Sequence, residues 1–340
     1  MEYKKNNDIW VFIEIKGDGR VRQSSLELMN PGIKIAEKTN GKLVAVLFGS
    51  DLKEAIQEVK EYGADQIIFV QGDEYKEYST DIYTDTLCLL LQKYVPAGIL
   101  IGATNDGRDM SPRIACRLET GLTADCTSVD VDEETGSILW TRPTLGGNLM
   151  ASILCQGHWP QMGTVRPGIY KKEKVLNKRV EIQQEIVELS QNVNRVRVYK
   201  TICENTMFAD IENAEIIVAG GRGLGNAQGF QMIKELAEAL GGAVGATRGA
   251  VENGWISHGY QIGQTGKTVN PKLYIACGIS GAVQHIVGMS SSNTIIAINQ
   301  DKEAPIFQVA DYGIVGDVYT IIPELTKKIL YENKNNENVL

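Results

Sequence analysis

Short apolar runs alternate with longer amphipathic stretches through the first hundred residues. The apolar runs lie at residues 9–13, 43–47, 66–70 and 98–102. Between the second and third runs, residues 51–63 place apolar side chains at helical spacing, begin with the capping candidate Asp51 and end on Gly63. Parallel strands joined by crossover helices produce this alternation. We therefore predict a parallel α/β sheet with surface helices in this part of the chain.

The pattern changes between residues 121 and 166, where the apolar runs become shorter. Turn signals stand at Glu134-Thr135-Gly136 and Gly146-Gly147-Asn148. Tight turns between short strands favour β-hairpins. We predict hairpins appended to the sheet, forming an arm or an interface.

A charged, alternating segment at residues 171–200 contains no glycine or proline. We interpret it as an extended segment that crosses between two domains. The α/β pattern then resumes, with strands predicted at residues 215–219, 273–276 and 294–298, a helix near residues 227–240 and a last helix beginning at Pro323. The prediction is α/β, with two domains and largely parallel sheets, at residues 1–190 and 200–340.

Composition narrows the possible functions. The 340 residues carry 34 Lys and Arg against 42 Asp and Glu, a formal charge of −8, so no basic footprint favours nucleic acid. No apolar stretch approaches the roughly 18 residues that span a bilayer, and the first residues lead into only a short apolar run. Six cysteines without a CxxC pair and three histidines give no zinc or iron–sulfur spacing. We expect a cytoplasmic protein without metal or membrane partners.

Two glycine-rich loops follow the strands of the second half. Residues 220–225 approach a dinucleotide fingerprint, but a third glycine would be needed at Gln228, so a tight turn without a ligand stays open. Residues 263–268 imitate the end of a P-loop, yet Gln261 stands where that loop needs glycine, which argues against an ATPase. The flanking glycines would still let Gln264 and Thr265 approach a ligand closely.

A third loop, residues 277–285, follows the strand at 273–276 and is predicted to begin a helix. Helix starts stabilise negative charge. His285 could add a positive charge or a hydrogen-bond donor there, or could be a satisfied histidine packed on a helix face. No Ser-His-Asp or paired-carboxylate arrangement accompanies it. Polar glycine loops without a nucleophile and base indicate that the protein holds a cofactor.

The run Leu273-Tyr274-Ile275-Ala276-Cys277-Gly278-Ile279-Ser280-Gly281-Ala282-Val283-Gln284-His285-Ile286-Val287-Gly288-Met289 resembles the signature of electron transfer flavoprotein alpha subunits. The resemblance extends to residues 105–109, 120–125, 245–248, 261–267 and 304–317. It implies a Rossmann-like FAD-binding domain at the C-terminal end and a first domain that packs on a beta subunit. It further implies an electron carrier, rather than an independent enzyme, whose partners are acyl-CoA dehydrogenases or related dehydrogenases. A bifurcating system with NADH and ferredoxin stays open.

The resemblance also implies a set of flavin contacts. Arg248 would lie over the isoalloxazine ring, Thr265 near N5 and His285 near the C2 carbonyl oxygen. The full set is Arg222, Thr247, Arg248, Gln261, Gly263, Gln264, Thr265, Gly266, Gly278, Ile279, Ser280, Gly281, Ala282, Gln284, His285, Asn299 and Asp317. A cation and a donor there would stabilise the negative charge of a reduced flavin. No catalytic residue and no metal ligand is implied.

Two other functions compete with this interpretation. One is a nucleotide-binding interaction subunit without redox activity, which a yellow colour after purification would exclude. The other is an NAD-dependent dehydrogenase, which only the degenerate loop at 220–225 supports and for which no acid or base is evident.

Overall fold

The computed structural model describes residues 6–144, 149–175, 178–189, 196, 198, 211, 212 and 214–337, with side chains to residue 333. The chain divides into two compact units, Met1–Thr201 and Ile202–Leu340. Each unit is built on its own parallel sheet.

The first unit contains ten strands and four helices among its described residues. The strands are β1 (Ile9–Ile13), β2 (Leu43–Gly49), β3 (Gln66–Gln71), β4 (Gly98–Gly102), β5 (Leu122–Cys126), β6 (Ser128–Val131), β7 (Ile138–Pro143), β8 (Met150–Leu154), β9 (Gln161–Val165) and β10 (Glu181–Glu185). The helices are α1 (Gln23–Thr39), α2 (Lys53–Lys60), α3 (Thr80–Tyr94) and α4 (Asn105–Arg117).

Seven of these strands form one parallel sheet in the order β10-β3-β2-β1-β4-β9-β5. Strands β1, β2 and β4 are buried at every residue, as expected for a sheet covered on both faces. Alternate residues of β1 enter two separate cores: Val11 packs with side chains of α1 and α2, and Phe12 with those of α3 and α4. The predicted parallel sheet is confirmed.

The segment at residues 171–200 is not wholly a crossing between units, because its residues 181–185 form β10 at the edge of the first sheet. The carboxylate of Glu185 accepts hydrogen bonds from Tyr94 Oη at 2.5 Å and from Lys93 Nζ at 2.7 Å. Gln183 Nε2 donates to Tyr94 Oη at 2.6 Å. An alternating charged pattern therefore marks an edge strand here, held by the end of α3.

The predicted hairpins occupy only the middle of residues 121–166. Strands β6, β7 and β8 form an antiparallel three-stranded arm, whereas β5 and β9 join the main sheet. The predicted turn at 134–136 is confirmed, with Gly136 at a φ of 66°. The second predicted turn, at 146–148, lies outside the described residues.

Glycines of the main sheet make room for the arm. The fully buried ring of Trp140 in β7 lies over Gly163, where a Cβ atom would come within 2.2 Å of the ring. Ile138 lies over Gly98 in the same way, since a Cβ atom added to Gly98 would be 2.2 Å from Ile138 Cδ1. The arm therefore packs on the sheet through β7, and its edge strand β8 keeps Met150, Ile153 and Leu154 exposed.

The second unit contains five strands and four helices among its described residues. The strands are β11 (Ile216–Gly220), β12 (Ala243–Ala246), β13 (Leu273–Cys277), β14 (Thr294–Asn299) and β15 (Tyr312–Val315). The helices are α5 (Gly229–Ala239), α6 (Arg248–Glu252), α7 (Val283–Ile286) and α8 (Val318–Glu337). All strand pairs are parallel, in the order β12-β11-β13-β14-β15.

One predicted helix start is wrong. The last helix begins at Val318, because Asp317 Oδ1 accepts the Tyr319 amide at 3.2 Å, and Pro323 lies within the helix. The glycine-rich loop after β13 does begin a helix, at Val283, but this helix has only four residues. In the described part of the chain, no helix combines the length and apolarity needed to cross a membrane.

We predict that Gly163→Ala destabilises the first unit by about 1–3 kcal/mol, because the added methyl group must displace the buried Trp140 ring. Urea unfolding followed by tryptophan fluorescence measures the change. Gly17→Ala is the matched control, since a Cβ at Gly17 meets nothing within 4 Å. Equal unfolding midpoints for the two variants would contradict this account of the arm.

Candidate functional site

The candidate site lies where strand order reverses in the second sheet. The chain passes from β11 to β12 on one side and then returns to β13 on the other side of β11. The connections that follow the adjacent strands β11 and β13 therefore run in opposite directions along the sheet. Such a switch point, at the carboxyl edge of a parallel sheet, is where open α/β sheets bind ligands.

Two glycine loops touch at this point through their backbones. The amides of Gly221 and Gly223 donate to the carbonyl oxygens of Cys277 and Gly278, each at 2.9 Å. A Cβ atom on Gly223 would lie 2.7 Å from the Cα atom of Gly278. Only residues without a side chain allow this approach, so the floor of the site is bare backbone.

The loops after β11 and β12 each bring one arginine to the same edge. Arg248 begins α6 with its side chain 64% exposed, and its Nε atom pairs with Glu252 Oε1 at 2.8 Å. The aliphatic part of Arg222 lies beside Gly249, where a Cβ atom would be 2.8 Å from Arg222 Cδ. The two positive charges thus reach one side of the switch point.

The segment 261–266 is clamped between β12 and α7. The Ile262 amide donates to the Ala246 carbonyl at 2.9 Å, and the Gln264 amide donates to the Gln284 carbonyl at 2.7 Å. The buried Gln261 donates from Nε2 to Thr265 Oγ1 at 3.0 Å. Gly263 has a φ of 141°, and a Cβ there would come 2.7 Å from the Gln284 carbonyl oxygen. These hydrogen bonds attach the loop to both of its neighbours at the edge of the sheet.

His285 is a buried, neutral side chain that joins three parts of the unit. Its Nδ1 atom lies 2.9 Å from the Ile262 carbonyl oxygen and its Nε2 atom 3.0 Å from Tyr274 Oη. Burial lowers the pKa of His285 to about 4. Because a carbonyl only accepts, Nδ1 carries the proton and Nε2 accepts from the Tyr274 hydroxyl. His285 therefore supplies no positive charge here. Its geometry is that of the other alternative, a packed histidine whose two ring nitrogens both have hydrogen-bond partners.

The loops after β14 and β15 continue the same edge. Asn299 Nδ2 donates to the Ile279 carbonyl at 2.9 Å, which ties the end of β14 to the loop after β13. Asp317 Oδ1 accepts from Gln300 Nε2 at 3.0 Å while it caps α8. Gly281, at a φ of 89°, packs directly on the backbone of Ile306. Both predicted polar residues thus organise loops around the site.

The predicted residues separate into a buried floor and an exposed rim. The buried ones are Gln261, Gly263, Gly278, Ile279, Gly281 and His285; the half-buried ones are Thr247, Gly266, Asn299 and Asp317. The exposed ones are Arg222, Arg248, Gln264, Thr265, Ser280, Ala282 and Gln284. A backbone floor under a polar and cationic rim suits a large, flat ligand that carries phosphates.

Sequence reasoning missed two residues that set this geometry. Tyr274 lies within β13 and fixes His285, and Glu252 pairs with Arg248. The signal for Tyr274 was a lone hydroxyl in an otherwise apolar strand, since a buried tyrosine usually finds a partner. A separate cleft of about 600 Å³ beside α5, lined in part by Gln228, Lys234 and Trp255, contains none of the predicted residues.

Comparison with known proteins gives two family matches. Residues 9–192 match the electron transfer flavoprotein domain, and residues 210–290 match the electron transfer flavoprotein FAD-binding domain. "Protein FixB" of Clostridium saccharobutylicum is 50% identical over 93% of this chain and 94% of the relative. The electron transfer flavoprotein subunit alpha of Clostridium acetobutylicum is 46% identical over 96% and 97%. The "acryloyl-CoA reductase electron transfer subunit beta" of Anaerotignum propionicum is 42% identical over 96% of both chains.

We predict that the His285 ring stays neutral down to about pH 4 in flavin-free protein. Because the pKa is lowered in the folded state, the unfolded chain takes up the proton at a higher pH than the folded chain does. The free energy of unfolding of the second unit should therefore fall by about 3 kcal/mol as the pH drops from about 6.5 to 4. NMR of labelled histidine rings, with only three histidines to assign, measures the titration. In His285→Gln this part of the acid dependence should disappear. A His285 midpoint near 6.5 would contradict the prediction.

Proposed function

This chain belongs to the electron transfer flavoprotein alpha-subunit family, and we propose that it forms the FAD-bearing half of a heterodimer with a beta subunit. It binds FAD and serves electron transfer. The proposed partners for that transfer are acyl-CoA dehydrogenases or related dehydrogenases. A relative named for acryloyl-CoA reductase supports this choice.

The observation that carries the proposal is the backbone floor at the switch point of the second sheet. Gly223 and Gly278 meet there without side chains, and exposed polar residues of three loops surround them. Bound FAD supplies the electron chemistry, accepting and releasing electrons. The chain's own task is then to bind, orient and set the electrostatic field, which needs no nucleophile or base.

We assign the field chiefly to the arginines. Arg248 is proposed to lie over the ring and Arg222 to face the phosphate or ring edge, because both carry charge at the rim. Thr265, held by Gln261, is proposed to face N5. His285 is neutral and has both ring nitrogens engaged, so a hydrogen bond to the C2 carbonyl requires that one protein partner be exchanged.

The beta subunit is proposed to pack on the first unit, in part through the arm. Strand β8 is an edge strand that pairs only with β7 among the described strands, and Met150 is 56% exposed beside Ile153 and Leu154. The neighbouring Leu149 is 70% exposed. Contiguous exposed apolar side chains are typical of interaction surfaces. Coupling to NADH and ferredoxin, as in a bifurcating system, would be a property of the whole complex.

We predict that Arg248→Ala lowers the first reduction potential of the flavin by tens of millivolts or more. Losing a cation near developing negative charge costs about 1–3 kcal/mol. Spectroelectrochemical titration of the alpha–beta complex measures the potential. Lys272→Ala is the control, because Lys272 precedes β13 at the opposite edge of the sheet and pairs with Glu215. A normal potential in an Arg248→Ala complex that retains FAD would contradict the assignment.

We also predict that the alpha–beta complex, but not the alpha subunit alone, is reduced rapidly by an acyl-CoA dehydrogenase with its substrate. Stopped-flow absorbance of the flavin band measures both rates. Equal rates would contradict the need for a beta subunit. Reduction of the complex by NADH, with coupled reduction of ferredoxin, would add the bifurcating function to the proposal.

A further inference from the structure

The first unit has a switch point of its own, which the flavin function does not use. In its sheet, strand order runs β3-β2-β1-β4, so the chain reverses direction between β1 and β4. The corresponding point of the second sheet carries glycine loops. Here the residue that follows β1 is Glu14, whose side chain is only 4% exposed.

Glu14 lies against the start of α4, a helix of 13 residues. Its two carboxylate oxygens are 2.8 and 2.9 Å from Thr104 Oγ1, which also caps α4 by accepting the Gly107 amide at 3.0 Å. Arg22 Nε is 2.9 Å from Glu14 Oε2. A helix start, a hydroxyl and a guanidinium each stabilise an oxyanion, and they offset part of the cost of burying its charge.

A second observation indicates a ligand position rather than a simple ion pair. The Ser24 hydroxyl is buried and has no hydrogen-bond partner among the described residues, although Ser24 is only 8% exposed. A Cβ atom added to Gly102 would lie 3.5 Å from Ser24 Oγ and 3.0 Å from Glu14 Oε1. The unused hydroxyl and the carboxylate thus lie close to the same point beside Gly102, so a shorter side chain at residue 14 would leave space next to Ser24 Oγ.

We propose that Glu14 is a built-in anion that fills an oxyanion site at the switch point of the first unit. As it stands, the unit binds no phosphate there, because the carboxylate occupies the position. When the Glu14 side chain is shortened, Arg22, Thr104, Ser24 and the start of α4 are left to bind inorganic phosphate.

One charge opposes phosphate binding. Asp106, in the first turn of α4, has Oδ2 3.7 Å from Arg22 Nη2 and shares that guanidinium with Glu14. Burial raises the pKa of Glu14 to about 7, although Arg22 and Thr104 favour its charged form. The position is therefore shielded from water, and experiments at pH 8 keep the wild-type carboxylate ionised.

The test uses the FAD-loaded alpha–beta complex, in which flavin occupies the second unit and its fluorescence reports that unit separately. In the Glu14→Ala variant, inorganic phosphate should raise the melting temperature of the first unit by about 2–4 °C relative to chloride at equal ionic strength. Glu14→Gln is the matched control, because the amide keeps the volume and should give no response. Adding Asp106→Asn to Glu14→Ala should enlarge the response, and adding Arg22→Gln should abolish it.

Glu14→Ser provides a second variant with space at the site if Glu14→Ala does not fold, since its hydroxyl keeps a partner for the buried cluster. Phosphate stabilisation of wild type equal to that of Glu14→Ala would overturn the proposal. The same response in Glu14→Gln, or none in either shortened variant, would also overturn it.

Discussion

Parallel strand pairing is the constraint on which both units depend, because it sends every loop that follows a strand to one edge of the sheet. In the second unit this edge collects residues from 220 to 317, which no local pattern would bring together. The site is thus a consequence of sheet topology first and of side-chain chemistry second. The reversal of strand order between β11 and β13 then selects one position along that edge.

What this position requires is close backbone approach. Gly223 and Gly278 touch at the switch point, Gly263 lies on the Gln284 carbonyl, and Gly281 packs on Ile306. A methyl group at any of these glycines would prevent the contact. The glycines therefore determine how closely the loops pack, as well as allowing tight turns. A floor made in this way offers peptide groups and little acid–base chemistry, which suits a protein that holds a redox cofactor and leaves bond-making steps to others.

The sequence predicted the main strands well because buried parallel strands are continuous apolar runs, and β1, β4 and β13 begin and end within one residue of the predicted positions. It failed where a long-range partner decides the outcome. Strand β10 has an exposed, charged pattern and exists because α3 supplies Tyr94 and Lys93 to Glu185. The neutrality of His285 depends on burial and on the hydroxyl of Tyr274, eleven residues away, which helical or strand periodicity does not reveal.

The two sheets also show how one architecture can support different outcomes at the same topological position. A switch point combines converging loops with a helix start, and such a place is electrostatically favourable for an anion whether it comes from a ligand or from the chain. In the second unit the residues at this point are Gly220 and Gly221, which leave the backbone open to a cofactor. In the first unit Glu14 supplies the negative charge itself, and Thr104 and Arg22 hold it there. The residue that follows the central strand therefore decides whether the edge is open to a ligand or is occupied by a side chain of the protein.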